Sequence, residues 1–128
     1  MSRLRTPIKR ARGLGSAKDG VHHFAVQRLS AIALIGLTAW FVWFVLRLLG
    51  SDYLAAADAV ASPVNAVLLV TFLAIGFWHA QLGLQVIIED YVHTPGLAVA
   101  VQVAVRFVCF LGALAGIFAV LRIALGGV

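Results

Sequence analysis

The sequence predicts an all-α membrane protein with three transmembrane helices. Hydrophobic residues make up 62% of the chain and charged residues only 12%, and the mean hydropathy is +1.02. Soluble domains are far more polar than this. Three apolar runs, at about 24–50, 64–89 and 97–125, are each long enough to cross a bilayer with some tilt. The length of 128 residues suits a single unit of this kind.

A basic N-terminal arm at residues 1–20 is expected to precede a three-helix membrane domain at residues 21–128. The arm holds six of the ten Lys and Arg residues, whereas the connection between the first two spans carries Asp52 and Asp58 and no basic residue. The positive-inside rule therefore predicts a cytoplasmic N-terminus, and three spans then leave the C-terminus on the periplasmic side. Because the arm runs directly into a span, we expect it to meet membrane lipid or a soluble partner and not nucleic acid.

The first span begins with a cluster of polar side chains and ends with a cluster of aromatic ones. The polar residues are His22, His23, Gln27 and Arg28. They are consistent with an interfacial belt in which Arg28 reaches the lipid headgroups, or with groups that meet the carboxylates of a cofactor held between helices. The aromatic residues near the other end are predicted to anchor the far interface; they are Trp40, Phe41, Trp43 and Phe44.

The second span carries a histidine deep in its apolar run. We expect the helix to begin at Pro63, with Ser62 as its N-cap. His79 and Asp90 are eleven residues apart, which places them within roughly 20° of one face and about 16 Å apart along the axis. If Asp90 lies at the water boundary, His79 lies near mid-membrane, where an unpaired imidazole is costly. The spacing therefore predicts a cofactor or a polar partner at His79.

Two glycines flank this histidine by one helical turn and leave alternatives open. Gly76 and Gly83 would form a slot beside the imidazole for a flat ring system, and imidazole is a standard axial ligand of haem iron. Alternatively, the glycines allow close helix packing and His79 bonds to a neighbouring helix. The other histidines lie near the membrane boundary. A six-coordinate haem would therefore need its second ligand from another chain; alternatively, the iron is five-coordinate or there is no haem.

The second helix is expected to end at an acid and a phenol. Tyr91 can donate a hydrogen bond to a carbonyl oxygen, and the adjacent Asp90 can polarise it or relay protons. Quinone reduction at the membrane boundary needs both functions. The same pair also suits an ordinary helix terminus with an interfacial tyrosine.

The third span should follow a turn at Thr94-Pro95-Gly96. It carries one cation, Arg106, deep in its apolar run. Arg106 would lie roughly 15 Å inside the helix, so it should face protein, cofactor or water rather than lipid. Gly112 and Gly116 are four residues apart, a spacing that permits close helix contact.

A longer motif identifies a resemblance. The run His79-Ala-x-x-Gly-Leu-Gln-Val-Ile-Ile-Glu-Asp-Tyr-Val-His93, with the upstream Gly20-Val-His-x-Phe and Gln27-Arg28-Leu-Ser-Ala31, closely resembles the smaller membrane anchor subunit of succinate dehydrogenase. This is respiratory complex II in its alphaproteobacterial form. The basic leader, the three spans and the order of the motifs all agree, so the resemblance covers nearly the whole chain.

The resemblance implies a fold, a site and partners. The fold would be half of a two-subunit bundle, paired with a three-helix cytochrome b subunit around one haem b. His79 would be one axial ligand of the haem iron and the companion would supply the other. Arg28, with His22 near it, would lie by the haem propionates, while Tyr91 and Asp90 would contact ubiquinone. His23 and His93 depart from relatives, which can carry an acid and a lysine there.

In this interpretation the chain is a non-catalytic anchor in the bacterial inner membrane. Succinate oxidation, flavin and iron–sulfur clusters would belong to the flavoprotein and iron–sulfur subunits, whose electrons the anchor helps to pass to ubiquinone in the citric acid cycle and respiratory chain. Two alternatives remain. One is a small transporter or assembly protein whose His79 and Arg106 line a polar path, and the other is an anchor of the same complex that lacks haem.

Overall fold

The computed structural model describes residue 8 and residues 19–126, and within these ranges the regular structure is entirely helical. Helix α1 covers Asp19–Leu48, α2 Tyr53–Ala61, α3 Pro63–Tyr91 and α4 Pro95–Ala124. Three segments of the described chain are long and apolar enough to cross a membrane: Val21–Leu48, Pro63–Tyr91 and Pro95–Ala124. The all-α, three-span prediction is confirmed. Most of the expected arm at residues 1–20 lies outside the described residues.

The connection between the first two spans contains a helix that the sequence reasoning missed. Gly50 has a positive φ of 83°, which suits glycine and turns the chain after α1. Asp52 then caps α2, since its Oδ1 accepts a 2.8 Å hydrogen bond from the Ala55 amide. Helix α2 ends at Ala61, and its C-cap Ser62 has a ψ of 127°, the extended backbone that a following proline favours. Pro63 is the first residue of α3, as predicted.

The connection between α3 and α4 is shorter than expected. Residues 92–94 link the two helices, and Pro95 and Gly96 already form the first turn of α4. The predicted turn at residues 94–96 is therefore wrong by two residues, because proline is well tolerated at the first helical position, where its missing N–H is not needed. The short link makes α3 and α4 antiparallel neighbours.

The packed core lies at the Pro63 end of the bundle. Phe44, Ala66, Leu69 and Val120 form a buried cluster where the end of α1 meets the start of α3 and the end of α4. Phe44 is only 6% exposed and Phe41 stacks on Phe72 at 4.6 Å between ring centroids. These two aromatic side chains pack inside the bundle, so their predicted role as interfacial anchors is wrong.

Helix α3 is the central helix, because it packs against both α1 and α4. The α3–α4 contact is close at two glycines: a Cβ on Gly112 would lie 2.7 Å from Cε1 of Phe77, and one on Gly116 would lie 3.1 Å from Cδ1 of Leu73. The predicted small-residue contact at these positions is confirmed. With few buried residues in the described chain, much of the apolar surface is left for lipid or other subunits.

Candidate functional site

His79 lies half-buried between α3 and α1, and both of its ring nitrogens face polar groups of α1. Its Nδ1 is 2.9 Å from the Ser30 hydroxyl, and its Nε2 is 3.5 Å from the Gln27 amide nitrogen. The first distance is a good hydrogen bond, whereas the second is at the outer limit of one. The structure therefore brings together a polar cluster of His79, Ser30 and Gln27 in the half of the bundle away from the packed core.

The serine fixes which ring nitrogen of His79 carries the proton. The Ser30 hydroxyl donates its one proton to the Gln27 backbone carbonyl at 3.0 Å, so towards the imidazole its oxygen can only accept. Both contacts of the Ser30 hydroxyl are satisfied when Nδ1–H of His79 donates to it, and the Nε2 lone pair then faces the Gln27 amide nitrogen at 3.5 Å. A hydrogen bond at one ring nitrogen that orients the other is the usual arrangement of a metal-ligating histidine.

Two polar atoms beside this cluster are buried without a partner among the described residues: Oε1 of Gln27 and Nε2 of His23. His23, Gln27 and Ser30 follow a spacing of four and three residues, so they share the stripe of α1 that faces α3. Buried polar atoms are nearly always satisfied in a complete protein. These two atoms therefore offer hydrogen-bonding capacity to a further group or to water.

The two flanking glycines have different surroundings. A Cβ on Gly76 would meet nothing within 4 Å, and this residue lines an open cleft of about 270 Å³ with Ala80. A Cβ on Gly83 would lie 3.6 Å from the Gln27 amide nitrogen. The expected slot is therefore open at Gly76, whereas at Gly83 the side chain of Gln27 occupies the neighbouring space.

Arg28 and His22 lie near the start of α1 with their side chains exposed. The Arg28 guanidinium is 5.0 Å from the centre of the Phe24 ring on the same helix, which is a cation–π contact. Neither residue contacts His79. The two side chains are available to a group outside the chain.

Asp90 and Tyr91 form the last turn of α3, as predicted. Tyr91 is 78% exposed, and Asp90 is also exposed. About three helical turns separate them from His79. The structure thus places the acid and the phenol at one end of the bundle, apart from the His79 cluster, and no packing within the described chain fixes their orientation.

Arg106 lies apart from the polar cluster around His79. Its side chain is exposed and lines a cleft of about 490 Å³ between α3 and α4, together with Trp78 and Gln81. This cleft lies on a different face of α3 from His79, whose side chain faces α1. The two residues do not line a common path, which argues against the transporter mechanism considered above.

Ser30 is the site residue that sequence reasoning missed as a participant. A small polar residue in an apolar helix is common, and it usually bonds to its own backbone. The available signal was its spacing from His23 and Gln27, which repeats every three or four residues along one face.

Comparison with known proteins gives a consistent result. Residues 2–113 match the family described as succinate dehydrogenase/fumarate reductase transmembrane subunit. A succinate dehydrogenase hydrophobic membrane anchor subunit of Rickettsia bellii is 35% identical over 117 residues, which cover 91% of this chain and 94% of the relative. The subunit of the same name in Paracoccus denitrificans is 32% identical over 123 residues, covering 96% and 95% of the two chains. No solved structure gives a significant match.

Proposed function

Because the chain belongs to the succinate dehydrogenase/fumarate reductase transmembrane subunit family, and is a multi-pass membrane anchor subunit of succinate dehydrogenase, we propose that it holds one side of a haem b through His79. We further propose that Tyr91 and Asp90 form part of a ubiquinone site. The anchor would then help to pass electrons from the iron–sulfur subunit to ubiquinone.

The hydrogen bond between Ser30 and His79 is the observation that carries this proposal. It holds the ring through Nδ1 and leaves the Nε2 lone pair for a metal. Among the described residues, the hydrogen-bonding group that faces Nε2 is the Gln27 amide at 3.5 Å, a weak contact made by a flexible side chain. The unpartnered Gln27 Oε1 and the empty space beside Gly76 are also consistent with a missing planar group. The residues present therefore fit haem if the Gln27 side chain rotates.

When bound, haem b would supply a one-electron carrier at this depth of the membrane. The chain would contribute a single ligand to the iron, since its other histidines, His22, His23 and His93, lie near the ends of helices. The cytochrome b subunit is the expected source of the second ligand. Arg28 and His22 would face the propionates, because a guanidinium and an imidazole near the membrane boundary complement carboxylates.

At the quinone site the chain would supply a donor and an acid. The Tyr91 hydroxyl would donate a hydrogen bond to a quinone carbonyl oxygen, which polarises the ring for reduction. Asp90 would exchange protons with water at the boundary. Because both side chains are exposed in the isolated chain, their positions would be fixed only when the cytochrome b and iron–sulfur subunits close the site around them.

The exposed apolar surface supports an assembly role. Large hydrophobic side chains are exposed along all three spans, including Trp78 at 58% and Phe118 at 69%. Lipid would cover part of this surface, and the cytochrome b subunit would cover the part next to His79. The iron–sulfur and flavoprotein subunits would attach at the end that carries Tyr91. The bacterial inner membrane, with a cytoplasmic N-terminus, is the location that fits this assembly.

A haem-free anchor of the same complex is the second candidate. It is favoured by the fact that both ring nitrogens of His79 have neighbours on α1 within 3.5 Å. In that case the polar cluster would serve helix packing alone.

A difference spectrum separates the two candidates. The complex is expressed with all its subunits, and dithionite-reduced minus oxidised spectra are recorded for wild type and for His79→Ala. We expect a b-type band in wild type that is lost or strongly reduced in the variant, while the complex still assembles. An equal band in both samples would remove His79 as a ligand, and no band in either would favour the haem-free anchor.

A further inference from the structure

The cleft between α3 and α4 is polar at one end and apolar along the rest of its length. Gln81 and Arg106 lie at the end nearer the α3–α4 connection, while Phe77, Phe110 and Ala113 line the remainder. Its volume is about 490 Å³. A groove with this gradient, open to the membrane, matches an amphiphile with a polar head and an apolar tail.

Arg106 has no hydrogen-bond or ionic partner among the described residues. It lies eleven residues after Pro95, so its Cα is about 17 Å from the start of α4. The helix is about 45 Å long against about 30 Å of hydrocarbon, so if it is centred in the bilayer, Arg106 lies roughly 9 Å below the boundary. Side chains on a helix lean towards its N-terminus, which lets the guanidinium approach the headgroup region. An anionic group there is what it requires.

A carboxylate lies one turn closer to the same boundary. Glu89 accepts a 2.9 Å hydrogen bond from Gln85 and a 3.5 Å contact from Gln102 on α4, both through Oε1. Its second oxygen has no partner among the described residues. Because Arg106 follows Gln102 by four residues, its Cα lies about 6 Å deeper along α4 than the Cα of Gln102, whose side chain contacts Glu89. Arg106 thus lines the cleft, while Glu89 lies above the lining residues, nearer the membrane boundary, where it contacts Gln102.

We propose that this cleft binds a phospholipid with a primary amine in its headgroup, such as phosphatidylethanolamine. The phosphate lies on Arg106, the ammonium lies towards Glu89, and one acyl chain occupies the apolar groove. The order of the two charges matches the order of phosphate and amine along the membrane normal. Phosphatidylglycerol would also place a phosphate on Arg106, but its outer glycerol carries no positive charge for Glu89.

The position of the cleft favours lipid over the companion subunit, a step that rests on the proposed function. Residues 74, 78 and 81 of α3 line the cleft, whereas Gly76 and Ala80 line the open cleft proposed to face haem. Phe77 borders both clefts, but the pairs 74 and 76, and 78 and 80, differ by about 200° around the helix. A companion that ligates the haem would therefore approach the other side of α3.

The test is native mass spectrometry of the purified complex after reconstitution in nanodiscs with equal amounts of phosphatidylethanolamine, phosphatidylglycerol and phosphatidylcholine. For wild type we expect retained phosphatidylethanolamine in excess of the other two. Arg106→Gln should lower the retained phospholipid about ten-fold, because a charge-assisted phosphate contact is lost, and Arg106→Lys should keep part of it. Arg47→Gln is the matched control, since this arginine lies over Trp43 near the other end of α1.

Two further variants separate the parts of the proposal. Glu89→Gln should abolish the preference for phosphatidylethanolamine over phosphatidylglycerol while phospholipid is still retained. Ala113→Phe should fill the groove and expel the acyl chain with both charges in place, which covers the case where Arg106→Gln fails to assemble. Unchanged lipid retention in both Arg106→Gln and Ala113→Phe would overturn the site, and an unchanged headgroup preference in Glu89→Gln would overturn the role of the amine.

The outcome is independent of haem. Loss of the cytochrome b subunit from Arg106→Gln, with the same retained lipid as wild type, would mean that Arg106 pairs with a protein acid and would contradict the proposal. A complex that lacks haem yet retains the phospholipid would contradict the proposed function at His79 and leave the lipid site standing.

Discussion

Replacing Ser30 with alanine tests how the His79 ring is held. The substitution removes one oxygen atom and the 2.9 Å hydrogen bond to Nδ1. Such a bond contributes about 0.5–1.5 kcal/mol net, and loss of the outer partner of a metal-bound histidine typically weakens metal binding about 10–100-fold. We therefore expect the complex to assemble but to lose haem more readily during purification or on mild heating.

The same change should raise the haem midpoint potential. Nδ1–H donation to Ser30 makes the imidazole a stronger electron donor, which stabilises the oxidised iron, and alanine removes this effect. If the full hydrogen-bond energy of about 1.5 kcal/mol favoured only the oxidised iron, its loss would shift the midpoint potential by on the order of 60 mV. Because part of the bond energy is common to both states, we expect a rise of a few tens of millivolts.

The assay is a potentiometric titration of the b-type band together with haem content per complex. Ser30→Thr keeps the hydroxyl and is the matched control, so it should resemble wild type in both measurements. An alanine variant with wild-type midpoint potential and haem retention would refute the reasoning that Ser30 orients His79.

Three other predictions follow from the described contacts. Gly112→Ala puts a Cβ 2.7 Å from the Phe77 ring and should destabilise α3–α4 packing by about 1–3 kcal/mol, which lowers the midpoint of thermal or detergent unfolding. Gly96→Ala is the control, because this glycine has open space around it. Equal midpoints for the two variants would contradict the close contact. Tyr91→Phe should slow succinate-to-quinone activity while succinate-to-dye activity is kept, because one exposed hydroxyl is removed; a parallel loss of both would contradict its quinone role. Arg28→Leu should shift the haem midpoint potential or reduce haem content, and a wild-type potential with a wild-type quinone rate would count against a place near the propionates.

Much of the fold could be predicted because the membrane imposes long apolar helices. The runs at about 64–89 and 97–125 match Pro63–Tyr91 and Pro95–Ala124 closely. Helix α2 was missed because Tyr53–Ala61 is only nine residues long and lies in the connection between two spans, although its five alanines favour a helix. Its N-cap Asp52 was visible, but it was used only as a charge for the topology.

The aromatic cluster of α1 shows where composition misleads. Aromatic residues near the end of a span usually anchor the interface, but Phe41 and Phe44 pack against α3 because α2 and the loop bring the helices together at that end. Which face of α1 meets α3 depends on the rotation of the two helices. That rotation is set by packing and could not be read from the residue types.

The sequence predicted which residues form the candidate site better than it predicted the contacts between them. His79, Asp90 and Tyr91 stand out because ionisable groups are rare in membrane spans. Ser30 does not stand out, since its importance depends on its distance from His79 across two helices. Arg28, His22 and Tyr91 are exposed, so neither the sequence nor the packing of this chain determines what they contact.

The candidate site residues thus fall into two groups, those that bond within the chain and those that are exposed, so the chain alone forms only part of the proposed site. Within the chain, Ser30 and Gln27 contact His79 and hold its imidazole ring in place. The exposed ones have the chemistry to meet carboxylates, a quinone and other subunits. A subunit of this kind is expected to work only in its assembly.

The most direct test of the central claim is low-temperature electron paramagnetic resonance of the purified oxidised complex, wild type against His79→Ala. If His79 is one of two axial imidazoles, wild type should give a low-spin ferric signal. Any haem retained by the variant should be high-spin, and added imidazole should restore the low-spin signal. An unchanged low-spin signal in His79→Ala would show that the iron is ligated by other residues and would contradict the account.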